Sequence, residues 1–240
     1  MKVRRVGLKG ALIITAVTFG HTARAQSNNC NFPRGDQTNA VEMISNIRAT
    51  KAVCGLPWRA LKRVAADPSK RRSIEQAYDE VASRYPEKAK AARARKADVA
   101  AAAGDPREML AIADENVVSS PDDKSLSNAA CFIRGRYGFD VEHAMPFCNV
   151  AVAAGRPGWA LVNRGRVELE LGKFREALAD FNEALGDKSF TGHFMIVDAA
   201  YGRGIARIKL GDAGGKDDLK AAMAVRSSVA ADFEDAGIRP

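Results

Sequence analysis

The sequence predicts an all-α chain whose second half is a stack of helix pairs, and three observations carry that prediction. Apolar residues recur at three- and four-residue steps along nearly the whole chain. No run of alternating β-branched residues bounded by turn residues interrupts them. An Arg-Gly pair, followed seven residues after its glycine by another glycine, is written twice, as "RGRVELELG" from Arg164 and "RGIARIKLG" from Arg203.

The first element, residues 1–25, reads as a secretory signal peptide. "MKVRR" supplies the positive start, "GALIITAVTFG" the apolar run, and Ala23-Arg24-Ala25 the small-x-small cleavage site after Ala25. The apolar run is shorter than the roughly 20 residues that a membrane span needs. Arg4-Arg5 ahead of Leu8-Lys9 resembles a twin-arginine signal, with Gly7 where a large apolar residue is usual, so both export routes stay open. Loss of the leader removes Lys2, Arg4, Arg5, Lys9 and Arg24 and no acid, which lowers the net charge from +8 to +3. The basicity is therefore mostly an export signal, and no nucleic-acid partner is expected. The four cysteines, Cys30, Cys54, Cys131 and Cys148, are even in number and lack the close spacing of metal ligands, which favours two disulfides in an exported chain.

Residues 26–118 form a helical region. Ala40, Val41, Ile44, Ile47 and Lys51 share one face of a helix that Gly55 and Pro57 end, and a short helix follows around Trp58 to Val64. Asp67-Pro68 reads as N-cap and first helical residue, with Ile74, Ala77, Tyr78, Val81 and Tyr85 as the apolar stripe behind it. Pro86 opens the alanine-rich basic run "PEKAKAARARKADVAAAAG", which Gly104 stops. Asp105-Pro106 repeats the cap signal before Met109, Leu110, Ile112, Ala113 and Val117. "SSPDD", Ser119 to Asp123, is the expected boundary before the repeats of 124–227, and a capping tail, 228–240, closes the chain.

In the repeats, Gly172 and Gly211 mark turns between paired helices, and Asp180-Phe181 aligns with Asp218-Leu219. A degraded copy begins at Arg134-Gly135 with a first helix about three residues short. It sets Ala144, Cys148 and Ala151 against Ala177, Phe181 and Ala184, and Pro146 is expected to kink its second helix. Glycine and alanine stand where helices packed about 8–10 Å apart come closest. One such pair cannot cover its own apolar face, so pairs must stack.

This pattern of glycine, turn glycine, alanine, aromatic and alanine resembles the tetratricopeptide repeat. The copy from Gly158 to Asp187 matches best. It departs at Leu161, where tryptophan is common, at Arg164, where leucine is common, and in lacking the closing proline. The ending from Gly211 also resembles the tail of exported tetratricopeptide proteins of alphaproteobacteria. The resemblance implies a Cys131–Cys148 bridge pinning the degraded pair and, with it, a Cys30–Cys54 pair clamping the first helix. It also implies a concave face built from the first helix of each pair. Its groove positions fall on Phe132 and Arg136, then Trp159, Val162, Asn163, Arg166 and Glu170, then Tyr201, Ile205 and Lys209. That mixture suits an extended, partly acidic protein segment, although Phe132 and Tyr201 equally fit inter-repeat core. Trp159→Ala and Arg166→Glu are expected to weaken binding with little loss of stability.

The sequence carries no recognisable catalytic or cofactor motif. His143 and His193 lack a second ligand at metal spacing, and "GDAGGK" from Gly211 fits an inter-helix turn better than a phosphate loop. Glu168 and Glu170 point to different sides of their helix and make no acid/base pair. The expected function is a non-catalytic, cofactor-free protein-interaction module in the periplasm, with membrane contact not expected. The alternatives are an enzyme with its site in the first half, and an envelope-associated protein using the basic helix from Lys88 to Lys96.

Overall fold

A computed structural model describes residues 58–155, 157–190 and 193–240. The leader, the first expected helix and the Cys30–Cys54 pair fall outside these residues. Among the described residues there is no strand, and consecutive helices pack against each other. The order is α1 Trp58–Ala65, α2 Pro68–Arg84, α3 Ala89–Ala103, α4 Pro106–Ser119, α5 Lys124–Tyr137, α6 Met145–Ala153, α7 Pro157–Glu170, α8 Phe174–Gly186, α9 His193–Lys209, α10 Gly215–Val225 and α11 Val229–Glu234.

The caps form as the sequence predicts. Asp67 accepts from the backbone N–H groups of Ser69 and Lys70, and Asp105 from that of Glu108, so each satisfies orphan donors at a helix start. Gly104 ends α3 in the left-handed conformation, φ 68°. Ile74, Ala77, Tyr78 and Val81 of α2 are buried with Leu61 and Val64 of α1 and Ala92 and Val99 of α3. The basic helix α3 is thus packed on both sides, by α2 and α4. Its cations have partners within the chain: Lys90 with Asp123, Arg93 with Asn116, Arg95 with Asp98 and Lys96 with Asp79. Ser119 to Asp123 is a turn between packed helices, and Arg134 of α5 reaches back across it to grip both oxygens of Asp114 at 2.9 Å.

In the second half the internal alignment appears as repeated contacts. Arg164 of α7 donates to both Asp180 oxygens at 2.7 Å, and Arg203 of α9 does the same to Asp218 at 2.8 and 2.6 Å. Such two-point guanidinium–carboxylate pairs fix orientation as well as charge. Gly172 and Gly211 turn the chain at φ 70° and 85°. In the degraded copy Phe147 occupies the position of Asp180. Arg134 accordingly stacks on that ring, 4.5 Å from its centre, and takes Asp114 and Asp140 as its acids.

Cys131 and Cys148 are bridged, with Cα atoms 4.9 Å apart and both residues fully buried. Closing 17 residues contributes about 3 kcal/mol in the chain-entropy model. α5 ends two residues past Gly135, whereas α7 and α9 run five past their glycines. The expected kink at Pro146 is absent. A short 3₁₀ turn, Val141–His143, delays the helix, so Pro146 lies in the first turn of α6, where a missing N–H leaves no bond unmade.

Candidate functional site

The first helices α5, α7 and α9 stand side by side. Residues three and four apart share a helix face, and Trp159, Val162, Asn163, Arg166 and Glu170 step along α7 in that rhythm. Phe132 and Arg136 lie on α5, and Tyr201, Ile205 and Lys209 on α9. Their exposure differs sharply. Trp159 is 43 % exposed, edge-on to Phe190 with ring centres 5.9 Å apart, and Lys209 is also exposed. Phe132, Arg136 and Glu170 are half-buried. Val162, Asn163, Arg166, Tyr201 and Ile205 are buried.

What covers part of this face is the chain's own tail. Asp232 and Phe233 of α11 are its anchors. Arg136 donates to the Asp232 carboxylate at 2.7 Å and to its backbone carbonyl at 3.0 Å. Arg226 pairs with the other carboxylate oxygen at 2.9 Å. Arg166 donates to the same carbonyl at 3.0 Å and to the Gly135 carbonyl at 3.1 Å, with its guanidinium 3.8 Å from the centre of the Phe233 ring. Tyr201 also packs on Phe233, ring centres 5.1 Å apart and planes tilted by 53°. Beyond α11 the chain reaches α5, where the Ala236 carbonyl lies so close to Gly138 that a Cβ there would sit 2.7 Å from it. Phe233 is fully buried and Ile238 is 5 % exposed, so the tail belongs to the core of this half.

This placement corrects one expectation. Arg166 is 1 % exposed and hydrogen-bonded to two carbonyls, so Arg166→Glu does not spare stability. Tyr201 takes the core role that its position also allowed, although the ring it packs on belongs to the tail.

Electrostatics at the face follow from burial. Desolvation lowers the Arg166 pKa to about 10 against the pull of Asp198, 3.8 Å away. Burial raises the Glu170 carboxyl to about 8, with Arg166 opposing and Glu142 reinforcing, and its Oε1 has no hydrogen-bond partner. Glu168, on the opposite side, is raised to about 7 by burial and by Asp180. The two glutamates therefore serve separate environments. Both folded-state values exceed the unfolded one, so their stabilising contribution is complete below about pH 4.5 and is lost as pH rises through 7 and 8. We expect the melting temperature to fall between pH 5 and pH 8.5. Glu170→Gln should flatten the upper part of that fall; an identical profile in the variant would show that Glu170 is not buried as described.

No set of three or more His, Cys, Asp or Glu side chains at metal-holding distance occurs among the described residues. The exposed His143 ring binds Asp140 at 2.6 Å. Gly211 to Gly214 form the inter-helix turn and Gly215 and Lys216 open α10; in the turn Asp212 accepts from the backbone N–H of Gly214 at 2.8 Å and pairs with Arg207 at 2.9 Å. The sequence reading missed the tail's place on the face. The sequence offered only an acidic-aromatic dipeptide, Asp232-Phe233, with nothing to pair it with Arg136 and Arg166, 96 and 66 residues away. Comparison with protein-family models, with curated proteins and with solved structures returned no match.

Proposed function

We propose that the chain is an exported, tetratricopeptide-type binding protein that holds a protein segment on the face formed by α5, α7 and α9, without catalysis, in the envelope space of a Gram-negative bacterium. The leader-like residues 1–25 support export, and the repeated Arg-Gly helix pairs support the repeat assignment. One observation carries the binding role: the face already holds a short acidic-aromatic segment through paired arginines, backbone contacts and an aromatic seat. Side chains at this face donate to a backbone carbonyl, which is how a groove grips a peptide independently of much of its sequence.

No helix among the described residues is long and apolar enough to cross a membrane. The test is photo-crosslinking in the native envelope from Lys209, which is exposed on this face, with mass-spectrometric identification of what is joined. A discrete protein partner is expected, and Trp159→Ala should cut its capture several-fold while shifting the melting temperature little, because Trp159 is 43 % exposed. Capture unaltered by this substitution, with crosslinks mapping to the opposite helices, would refute the assignment of the face.

A further inference from the structure

We propose that residues 228–240 are a tethered stand-in for the partner, and that the partner's docking segment carries an aspartate or glutamate followed by an aromatic residue and must displace them. The inference rests on the proposed binding role of this face.

The chemistry of the seat defines the occupant. Three guanidinium groups converge on one residue: Arg136 and Arg226 take the Asp232 carboxylate, and Arg136 and Arg166 take its carbonyl. An acidic side chain with its backbone turned to α5 and α7 satisfies all of them, whereas a neutral residue would keep the carbonyl but take a carboxylate from Arg136 and leave Arg226 with Asp198 alone. The next position is an aromatic slot, with the Arg166 guanidinium 3.8 Å from the ring centre and the Tyr201 ring tilted against it at 5.1 Å. Further along, the left-handed Gly138 lets a main-chain carbonyl approach α5 more closely than a side chain would permit. The seat thus reads acid, aromatic and then bare backbone.

The tether is short. α10 ends at Val225 and α11 begins at Val229, so the segment is presented to its seat at high effective concentration. A free segment of the same chemistry must compete with it, and its apparent affinity is reduced by the fraction of molecules in which the tail is seated. Arg226 adds a mechanical link, since it holds Asp232 and also Asp198 of α9. Release of the tail therefore leaves Arg226 on Asp198 alone, beside the vacated seat.

The experiment uses the full chain with a fluorescein-labelled peptide of residues 229–238, VAADFEDAGI, as probe. Binding by fluorescence polarisation to an Asp232→Asn/Phe233→Ala chain is expected to be about tenfold or more tighter than to the wild type. Asn and Ala at the same two positions of the peptide should abolish it. Equal affinity for both chains, or binding indifferent to those peptide changes, overturns the proposal. So does exchange of tails between two copies, seen as a dimer, because the occupant would then be a second copy. Should the variant lose its helical circular dichroism, a protease site inserted between Ser227 and Ser228 replaces it. After cleavage the labelled peptide should exchange into the face, and a cut tail that never exchanges overturns the proposal equally. The binding role fails separately. If the peptide binds the opened chain but envelope crosslinks lie elsewhere, that role is wrong and the seat stands; if partner crosslinks form at the face while the tail remains seated, the role stands and the displacement is wrong.

Discussion

Phe181→Ala is expected to lower the unfolding free energy by about 3–5 kcal/mol. The ring is fully buried in α8 and is wedged between two glycines on different helices. A Cβ on Gly165 of α7 would lie 2.9 Å from the ring, and one on Gly202 of α9 would lie 2.4 Å from it. Truncation opens a cavity whose walls are helix backbones, which cannot close the gap without sliding one pair past the next. The loss should appear as a lower denaturant midpoint with an unchanged slope. Gly202→Ala approaches the same space from the other side and should cost about 1–3 kcal/mol by overpacking. Combined with Phe181→Leu, it should cost less than the sum of the two single changes, because a smaller side chain gives the new methyl room. Strict additivity would mean that ring and glycine do not share the gap.

The Gly165 side of that gap was legible in the sequence, as a small residue at a fixed step from an aromatic on the paired helix; the Gly202 side, which belongs to the next pair, was not. Helix boundaries set by Asp67-Pro68, Asp105-Pro106 and Gly104 were legible because a cap, a missing N–H and a left-handed turn act locally. The all-helical architecture and the Cys131–Cys148 bridge agree with the reading, whereas Pro146 does not. Its effect depends on where the helix starts, and the 3₁₀ turn at Val141–His143 moved that start by a few residues. Charge pairing was less legible still. Arg164 and Arg203 each find an aspartate one helix away, at separations of 16 and 15 residues, and nothing in local periodicity announces that. The tail was the least legible element. Arg136 meets Asp232 across 96 residues, a contact that only the stacking of three first helices brings about. Long-range pairing of this kind leaves no periodic trace, so a capping tail and a seated ligand read alike in sequence.

The same tail makes Arg166 a charged position that tolerates little change. Arg166→Glu is expected to cost about 3–5 kcal/mol or more, enough to unfold this half of a marginally stable protein. The guanidinium is wholly enclosed, donates to the carbonyls of Gly135 and Asp232, and covers the face of the Phe233 ring. Its neighbours are arranged for a cation. Asp198 lies 3.8 Å away, the Asp232 carboxylate is close by, and a ring face is itself electron-rich. A glutamate there would meet repulsion from both aspartates and from the ring, would present acceptors to the Gly135 and Asp232 carbonyls, and would be desolvated while Arg136 and Arg226 stay engaged with Asp232 and Asp198. Arg166→Met separates charge from volume. It fills most of the same space and leaves Asp198 with Arg226 and the Asp232 carbonyl with Arg136, so only the Gly135 carbonyl is left without a side-chain donor. The expected loss is about 1–3 kcal/mol, the scale of one buried acceptor left unmet. Thermal unfolding of the two variants side by side checks the argument. A glutamate tolerated as well as methionine would mean that water reaches this site, and that the tail does not lie over α7 as described.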